Sequence, residues 1–149
     1  MRTDYKHERS LSVLEIKATR YIFIAPPLLN LPHIVTSCHF TKKYSVYVFN
    51  NLPPQSLLML HCASKDDDLG NHTLTYSREF DWEFCDSLFG NTLFFCTLGW
   101  GSKKQSFDVF NSKWGKRECD GGASFWLAKS DGIYFQNLNE QAFKKYDWQ

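Results

Sequence analysis

From Tyr44 onward, short segments rich in β-branched and aromatic residues alternate with clusters of turn-forming residues. The spacing is about ten residues, the pattern of a sandwich or barrel of short strands. It predicts a first strand over Tyr44–Asn50, ended by Asn50-Asn51-Leu52-Pro53-Pro54, because proline cannot donate to a ladder. A second strand is predicted over Ser56–Ala63, an acidic loop over Lys65–Asn71, and a short third strand near His72–Tyr76. Glu79–Cys85 alternates strictly: Phe80, Trp82 and Phe84 point one way, and Glu79, Asp81, Glu83 and Cys85 the other. A disulfide at Cys85 is therefore expected near the sheet surface. After the turn at Gly90-Asn91, Thr92–Leu98 is an almost unbroken apolar run, which predicts a strand covered on both faces. Gly99–Lys104 reads as a loop. Ser106–Phe110, Ser124–Lys129 and Ile133–Gln136 complete the set, with Lys113–Gly122 a polar connection and Ser130-Asp131-Gly132 a tight turn. The expected fold is all-β, a small antiparallel β-sandwich of about eight strands stabilised by disulfides.

Composition supports this reading and narrows the function. The chain has 149 residues, 43% hydrophobic, 17% aromatic and 22% charged, as in a folded soluble domain long enough to bury its own core. Seventeen Lys and Arg against sixteen Asp and Glu leave a net charge of +1, so no basic field is present to attract a phosphate backbone. Nucleic acid is excluded as a first expectation.

The first forty residues follow a different order. Five basic residues, Arg2, Lys6, Arg9, Lys17 and Arg20, precede a mostly apolar stretch from Tyr21 to Ser37 that ends in small residues. This is the layout of a secretory signal, so residues 1–37 are expected to be a signal peptide and 38–149 a single domain. Pro26, Pro27 and Pro32 make the stretch unsuitable as a transmembrane helix, and no membrane span is expected in the mature chain. After cleavage at Ser37 the balance becomes 12 basic against 13 acidic residues.

Cysteine usage fits the same route. Cys62, Cys85, Cys96 and Cys119 are an even set within the folded region, while Cys38 falls at the expected cleavage junction. Their spacings contain no short Cys-x-x-Cys pair of the zinc-site kind, so two disulfides in an oxidising compartment are expected, with three connectivities open. A Cys62–Cys119 bridge would close a long loop worth roughly 4 kcal/mol in the chain-entropy model. Asn71-His72-Thr73 is an N-glycosylation sequon.

No catalytic constellation emerges. Asp66-Asp67-Asp68 begins a stretch that fails the calcium-loop pattern, since Gly70, His72 and Thr73 stand where other residue types are needed. His61 and His72 could serve a hydrolase beside nearby Asp residues, but a disulfide-bonded Cys62 would be neither ligand nor nucleophile. Gly122-Ala123-Ser124 starts like a nucleophile elbow, yet Trp126 replaces the second glycine. Asp81 and Glu83 alternate outward on a strand, without a pocket between them. Neither a cofactor nor a metal is expected. Trp100 and Trp114, flanked by Lys103, Lys104, Lys113, Lys116 and Arg117, could instead anchor a partner from exposed loops, or fold back onto the sandwich.

Several segments in order resemble the plant self-incompatibility family, the S-protein homologues: Val48-Phe49-Asn50-Asn51-Leu52, then Leu60-His61-Cys62-Ala63-Ser64-Lys65-Asp66-Asp67-Asp68-Leu69-Gly70-Asn71-His72, and Phe80-Asp81-Trp82-Glu83-Phe84. They continue through Thr92-Leu93-Phe94-Phe95-Cys96, Phe107-Asp108-Val109-Phe110, Cys119, Trp126 and Asp131-Gly132-Ile133-Tyr134. The resemblance implies a small secreted sandwich with two disulfides, acting in the apoplast as a ligand of a cell-surface receptor protein rather than as an enzyme. A secreted hydrolase or a carbohydrate-binding module is the alternative. Family members usually carry a cysteine two residues before the equivalent of Trp126; here that position is Ser124 and Cys85 is extra. The resemblance thus implies structural roles for Cys62 and Cys96 and a compensating role for Cys85. The loops singled out for recognition are Lys65–Asn71, with Asp66, Asp67 and Asp68; Gly99–Gln105, with Trp100, Lys103 and Lys104; and Lys113–Gly122, with Trp114 and Lys116.

Overall fold

A computed structural model describes residues 37–114, 118 and 120–149. The expected leader, apart from Ser37, lies outside the described residues, as do Lys116, Arg117 and Cys119.

Among the described residues nine strands form two sheets: β1 (Lys43–Asn50), β2 (Leu58–Ser64), β3 (Asp68–Leu74), β4 (Glu79–Cys85), β5 (Leu93–Trp100), β6 (Lys103–Asn111), β7 (Ala123–Lys129), β8 (Gly132–Asn137) and β9 (Phe143–Tyr146). The five-stranded sheet runs β4-β1-β7-β8-β9 and the four-stranded sheet β3-β2-β5-β6. Pairing is antiparallel except between β1 and β7, which are parallel with Val48 opposite Trp126. That one pair departs from the antiparallel expectation.

Alternation decides which side chains fill the core. Val46 and Val48 of β1, Leu58, Leu60 and Cys62 of β2, Phe94, Cys96 and Leu98 of β5, and Trp126 and Ala128 of β7 are all buried. On β4, Phe80, Trp82 and Phe84 pack against this core while Glu79, Asp81 and Glu83 face solvent, as the sequence pattern demands. Trp126 is the centre: its ring lies 4.8 Å from Phe107 and 4.9 Å from Phe135, and its indole N–H donates to the Val109 carbonyl at 3.0 Å.

Four expectations need correction, each for a physical reason. β5 is buried on one face only, with Leu93 and Phe95 reaching solvent on the other. Asp68–Asn71 is not loop but the start of β3, an edge strand whose wet outer face carries little apolar signature. Gly99–Lys104 is also mostly strand: β5 and β6 meet at the two-residue turn Gly101-Ser102, where Gly101 has φ +59°. The polar residues Lys103 and Lys104 belong to another edge strand, so neither face identifies them as β. Finally, β9 was not anticipated, being four residues long, bulged and half-exposed.

Two disulfides are present among the described residues. Cys62 and Cys96 oppose each other across β2 and β5, fully buried, with Cα atoms 4.1 Å apart. Cys62 therefore does not close the long loop to Cys119. Cys38, which the sequence reading left outside the pairing set, is bonded to Cys85 with a Cα separation of 5.6 Å. This bridge is half-buried, as the outward position of Cys85 on β4 requires.

The end of β1 is organised by a completely buried Asn50. Its amide donates to the carbonyls of Ser56 at 3.0 Å and Leu74 at 2.9 Å, and its side-chain oxygen accepts from the Leu52 N–H at 3.1 Å. One side chain thus joins β1, the prolyl loop after it and the end of β3. Asn50→Ala leaves three main-chain groups without partners and is expected to lower stability by about 3 kcal/mol, read as a shift of the denaturant midpoint at unchanged m.

Candidate recognition surface

The two hairpin ends of the sandwich carry different chemistry. At one end, Gly101-Ser102 joins β5 to β6, and Trp100 and Trp148 lie 6.2 Å apart. The Trp148 indole donates to the Lys129 carbonyl at 2.7 Å, and Gln149 exchanges two main-chain hydrogen bonds with Lys104 at 2.8 and 3.1 Å. The C-terminal residues therefore cross from the five-stranded sheet to cover the β6 edge. Trp100 is half-buried in this packing, with the Lys103 ammonium 4.8 Å from its ring centre and 3.4 Å from the Ser130 carbonyl.

Beside this end, the outer face of the four-stranded sheet forms a shallow groove lined by Met59, His61, Asn71, Thr97, Gly99 and Lys104. Register explains the grouping: His61 is opposite Asn71 on one side and Thr97 on the other, and Gly99 is opposite Met59 and Lys104. Asn71 is exposed on this face, so its sequon opens onto the same groove as Lys104, with two strands between them.

At the opposite end, the Ser64–Asp67 turn meets the 86–92 loop and the short 3-10 turn Ser112–Trp114. The Ser64 hydroxyl accepts from the N–H groups of Asp66 and Asp67 at 3.3 and 3.0 Å, which leaves both carboxylates at the exposed tip. Trp114 does not project from here. Its ring is 6.5 Å from Trp126, and the Lys145 ammonium sits 4.5 Å from Trp114, 4.9 Å from Phe135 and 3.1 Å from the Glu118 carboxylate. An internal cation–π and ion-pair arrangement thus clamps the Trp114 segment onto the core. Both loop tryptophans fold back, so neither is a free anchor. The three loops singled out from sequence also do not converge: the acidic turn and the Trp114 segment share one end, while Trp100, Lys103 and Lys104 occupy the other.

Of the His–Asp pairs considered for a hydrolase, the structure brings together His61 and Asp68, the latter on β3. The Asp68 carboxylate accepts from the Gly70 N–H at 2.9 Å and from His61 Nε2 at 2.8 Å. The Gly70 hydrogen bond, and then His61, hold its pKa below the ordinary value. A depressed carboxylate contributes stability that is present above its unfolded pKa and lost as pH falls through the folded one. Amide protection in the β2–β3 hairpin is thus expected to hold from neutral pH to about 4 and to fall below it. Hydrogen exchange across that range checks this.

The other residues considered for hydrolysis are arranged apart from this pair. His72 donates to the Leu69 carbonyl at 2.7 Å and stacks on Phe80 at 4.0 Å, on a different face from His61. Ser124 is buried, and Cys62 is a disulfide sulfur. Among the described residues, no three His, Cys, Asp or Glu side chains gather at a common point, and no helix is long and apolar enough to cross a membrane.

Sequence inspection passed over Leu88 and Phe89. Both are strongly exposed, in a loop read only as a Gly90-Asn91 turn. Two large apolar residues inside a turn cluster were the available signal.

Comparison with known proteins fits this architecture. The family model for plant self-incompatibility protein S1 matches residues 45–148, from β1 to beyond β9. S-protein homolog 2 of Arabidopsis thaliana is 33% identical over 126 residues, 82% of this chain and 78% of that protein. S-protein homolog 29 of the same plant is 32% identical over 137 residues, 89% of this chain and 99% of that protein. A solved Self-Incompatibility Protein Homologue, from a family described as widespread, small, highly stable, secreted plant proteins, superposes with a TM-score of 0.61 at 20% identity. That match covers 73% of this chain and 96% of the other and is a likeness of fold. With the family model spanning both sheets and relatives matching along most of their own length, the chain belongs to the plant self-incompatibility protein S1 family.

Proposed function

We propose that the protein is a secreted, non-enzymatic ligand of the plant apoplast that docks on a cell-surface protein through loops held by a rigid sandwich. The carrying observation is the pair of disulfides, Cys38–Cys85 and Cys62–Cys96, since such bridges persist in oxidising compartments. Family membership supports the same reading. Residues 1–37 act as the signal peptide and 38–149 as the mature domain. The Cys38–Cys85 bond adds a constraint: cleavage after Ser37 keeps the bridge, whereas cleavage beyond Cys38 would destroy it.

The test is the intact mass of full-length protein expressed in plant cells and collected from the medium, before and after reduction and deglycosylation. A product beginning near Cys38 that gains about 4 Da on reduction of two disulfides supports the reading. Any further loss on deglycosylation places a glycan at Asn71. An uncleaved, reduced protein retained in the cell overturns the extracellular role.

A further inference from the structure

The 86–92 loop presents its two most apolar side chains to water. Phe89 is 90% exposed and Leu88 74%, the largest such pair adjacent in sequence among the described residues. The loop is nonetheless fixed. The Ser87 N–H donates to Thr92 Oγ1 at 2.9 Å, the Gly90 N–H to the Ser87 carbonyl at 3.0 Å, and the Asn91 N–H to Ser87 Oγ at 2.9 Å. The Ser112 hydroxyl donates to the Asp86 carboxylate at 2.6 Å, and the preceding residue, Cys85, is cross-linked to Cys38. Gly90 supplies the left-handed conformation that closes the turn, with φ +59°. Solvent-exposed apolar residues on a floppy loop would need no explanation; here the backbone is held while the side chains stay uncovered.

Their surroundings continue the surface. A recess bordered by Ser87, Asn91 and Thr92 of the loop is also lined by Leu93 and Phe95, on the exposed face of β5, and by the Lys65–Asp67 turn. Among the described residues neither Asp66 nor Asp67 has an ion-pair partner. The result is an apolar projection and shelf beside a turn that carries two carboxylates and one lysine.

Resting on the reading of the protein as a ligand, we propose that Leu88 and Phe89 are the anchor of its docking surface. The partner is a protein with an apolar pocket, to receive the two side chains, and a basic rim opposite Asp66 and Asp67. An apolar pair held in its bound conformation loses little freedom on docking, which favours affinity. The flanking carboxylates favour a basic protein rim and oppose an anionic lipid surface.

Binding of the labelled, secreted full chain to intact plant cells provides the test, with and without surface trypsin treatment. Wild type is expected to bind saturably and in a trypsin-sensitive manner, more weakly as salt rises. Leu88→Ser with Phe89→Ser is expected to weaken it by about 30-fold or more. Asp66→Lys with Asp67→Lys is expected to weaken it about fivefold or more and flatten the salt dependence. Leu57→Ser, exposed at the other end, is expected to leave it unchanged; unaltered near-ultraviolet circular dichroism and melting temperature show that each variant is folded. Trypsin-sensitive binding that survives the Leu88/Phe89 change overturns this inference while the ligand reading stands. Absence of saturable wild-type binding overturns both. Binding retained on trypsin-treated cells and on phosphatidylcholine–phosphatidylserine vesicles assigns the tip to lipid, and a wild-type dimer made monomeric by the change assigns it to self-association; either result overturns the protein-partner inference.

Discussion

Trp126→Ala is expected to destabilise the domain by about 3–5 kcal/mol, a large share of the stability of a protein this size. The ring is fully buried and packs between Phe107, Phe135, Tyr146 and Trp114. Removing it opens a cavity where both sheets meet, and strands fixed by the ladders within each sheet cannot collapse into it. The same change leaves the Val109 carbonyl without its 3.0 Å indole donor. It also uncovers one wall of the site holding the Lys145 ammonium, 5.4 Å from this ring. Trp126→Phe separates these effects. It keeps most of the packing and loses the hydrogen bond, so a cost nearer 1–2 kcal/mol is expected. Denaturant titrations of both variants decide the matter, and equal losses would show that packing is not the main contribution.

Replacing Cys62 and Cys96 together by alanine is expected to cost about 4 kcal/mol, from the chain entropy released when a 34-residue separation is no longer cross-linked. The corresponding Cys38/Cys85 pair spans a longer separation, 47 residues, and the entropy model alone assigns it slightly more. The structure reverses that order. Cys38 lies ahead of β1, in a segment that no ladder fixes, so part of the second bridge's constraint acts on residues 37–42 instead of the core. The Cys38/Cys85 double variant is therefore expected to lose clearly less. Equal midpoint shifts in the two variants would remove this distinction.

Core strands were legible in the sequence because one of their faces is dry. Glu79–Cys85 alternates visibly since β4 has Phe80, Trp82 and Phe84 on the core and three carboxyl groups in water. Edge strands were not legible for the complementary reason: Asp68–Asn71 and Lys103-Lys104 are wet enough to resemble loops, and their ladders are visible only once partners are known. The apolar run at β5 misled in the other direction, because Leu93 and Phe95 are exposed features of the surface and not signs of a second covering layer. Disulfide pairing lay beyond sequence reasoning because Cys38 and Cys85 meet only after β1 and β4 have paired, with Lys43 opposite Cys85. The recognition loops were singled out by charge and aromatic content, which do not show that the rings of Trp100 and Trp114 turn back onto the sandwich. Leu88 and Phe89 were passed over because apolar residues are ordinarily taken for core.

The parallel pairing of β1 with β7 also sets the order in which the chain can assemble. β1 lies between β4 and β7, so one of its edges can be satisfied within some forty residues of synthesis, while the other waits for a strand about eighty residues downstream. Until β7 emerges, Val46 and Val48 have neither a second ladder nor the Trp126 ring against them. Long-range closures of this kind place folding in the slow range of small domains, milliseconds to seconds. During that interval the open edge of β1 is a template for any passing strand. A covalent Cys38–Cys85 link made early would hold β1 on its near neighbour, so thiol oxidation would help keep the nascent chain from pairing with the wrong one.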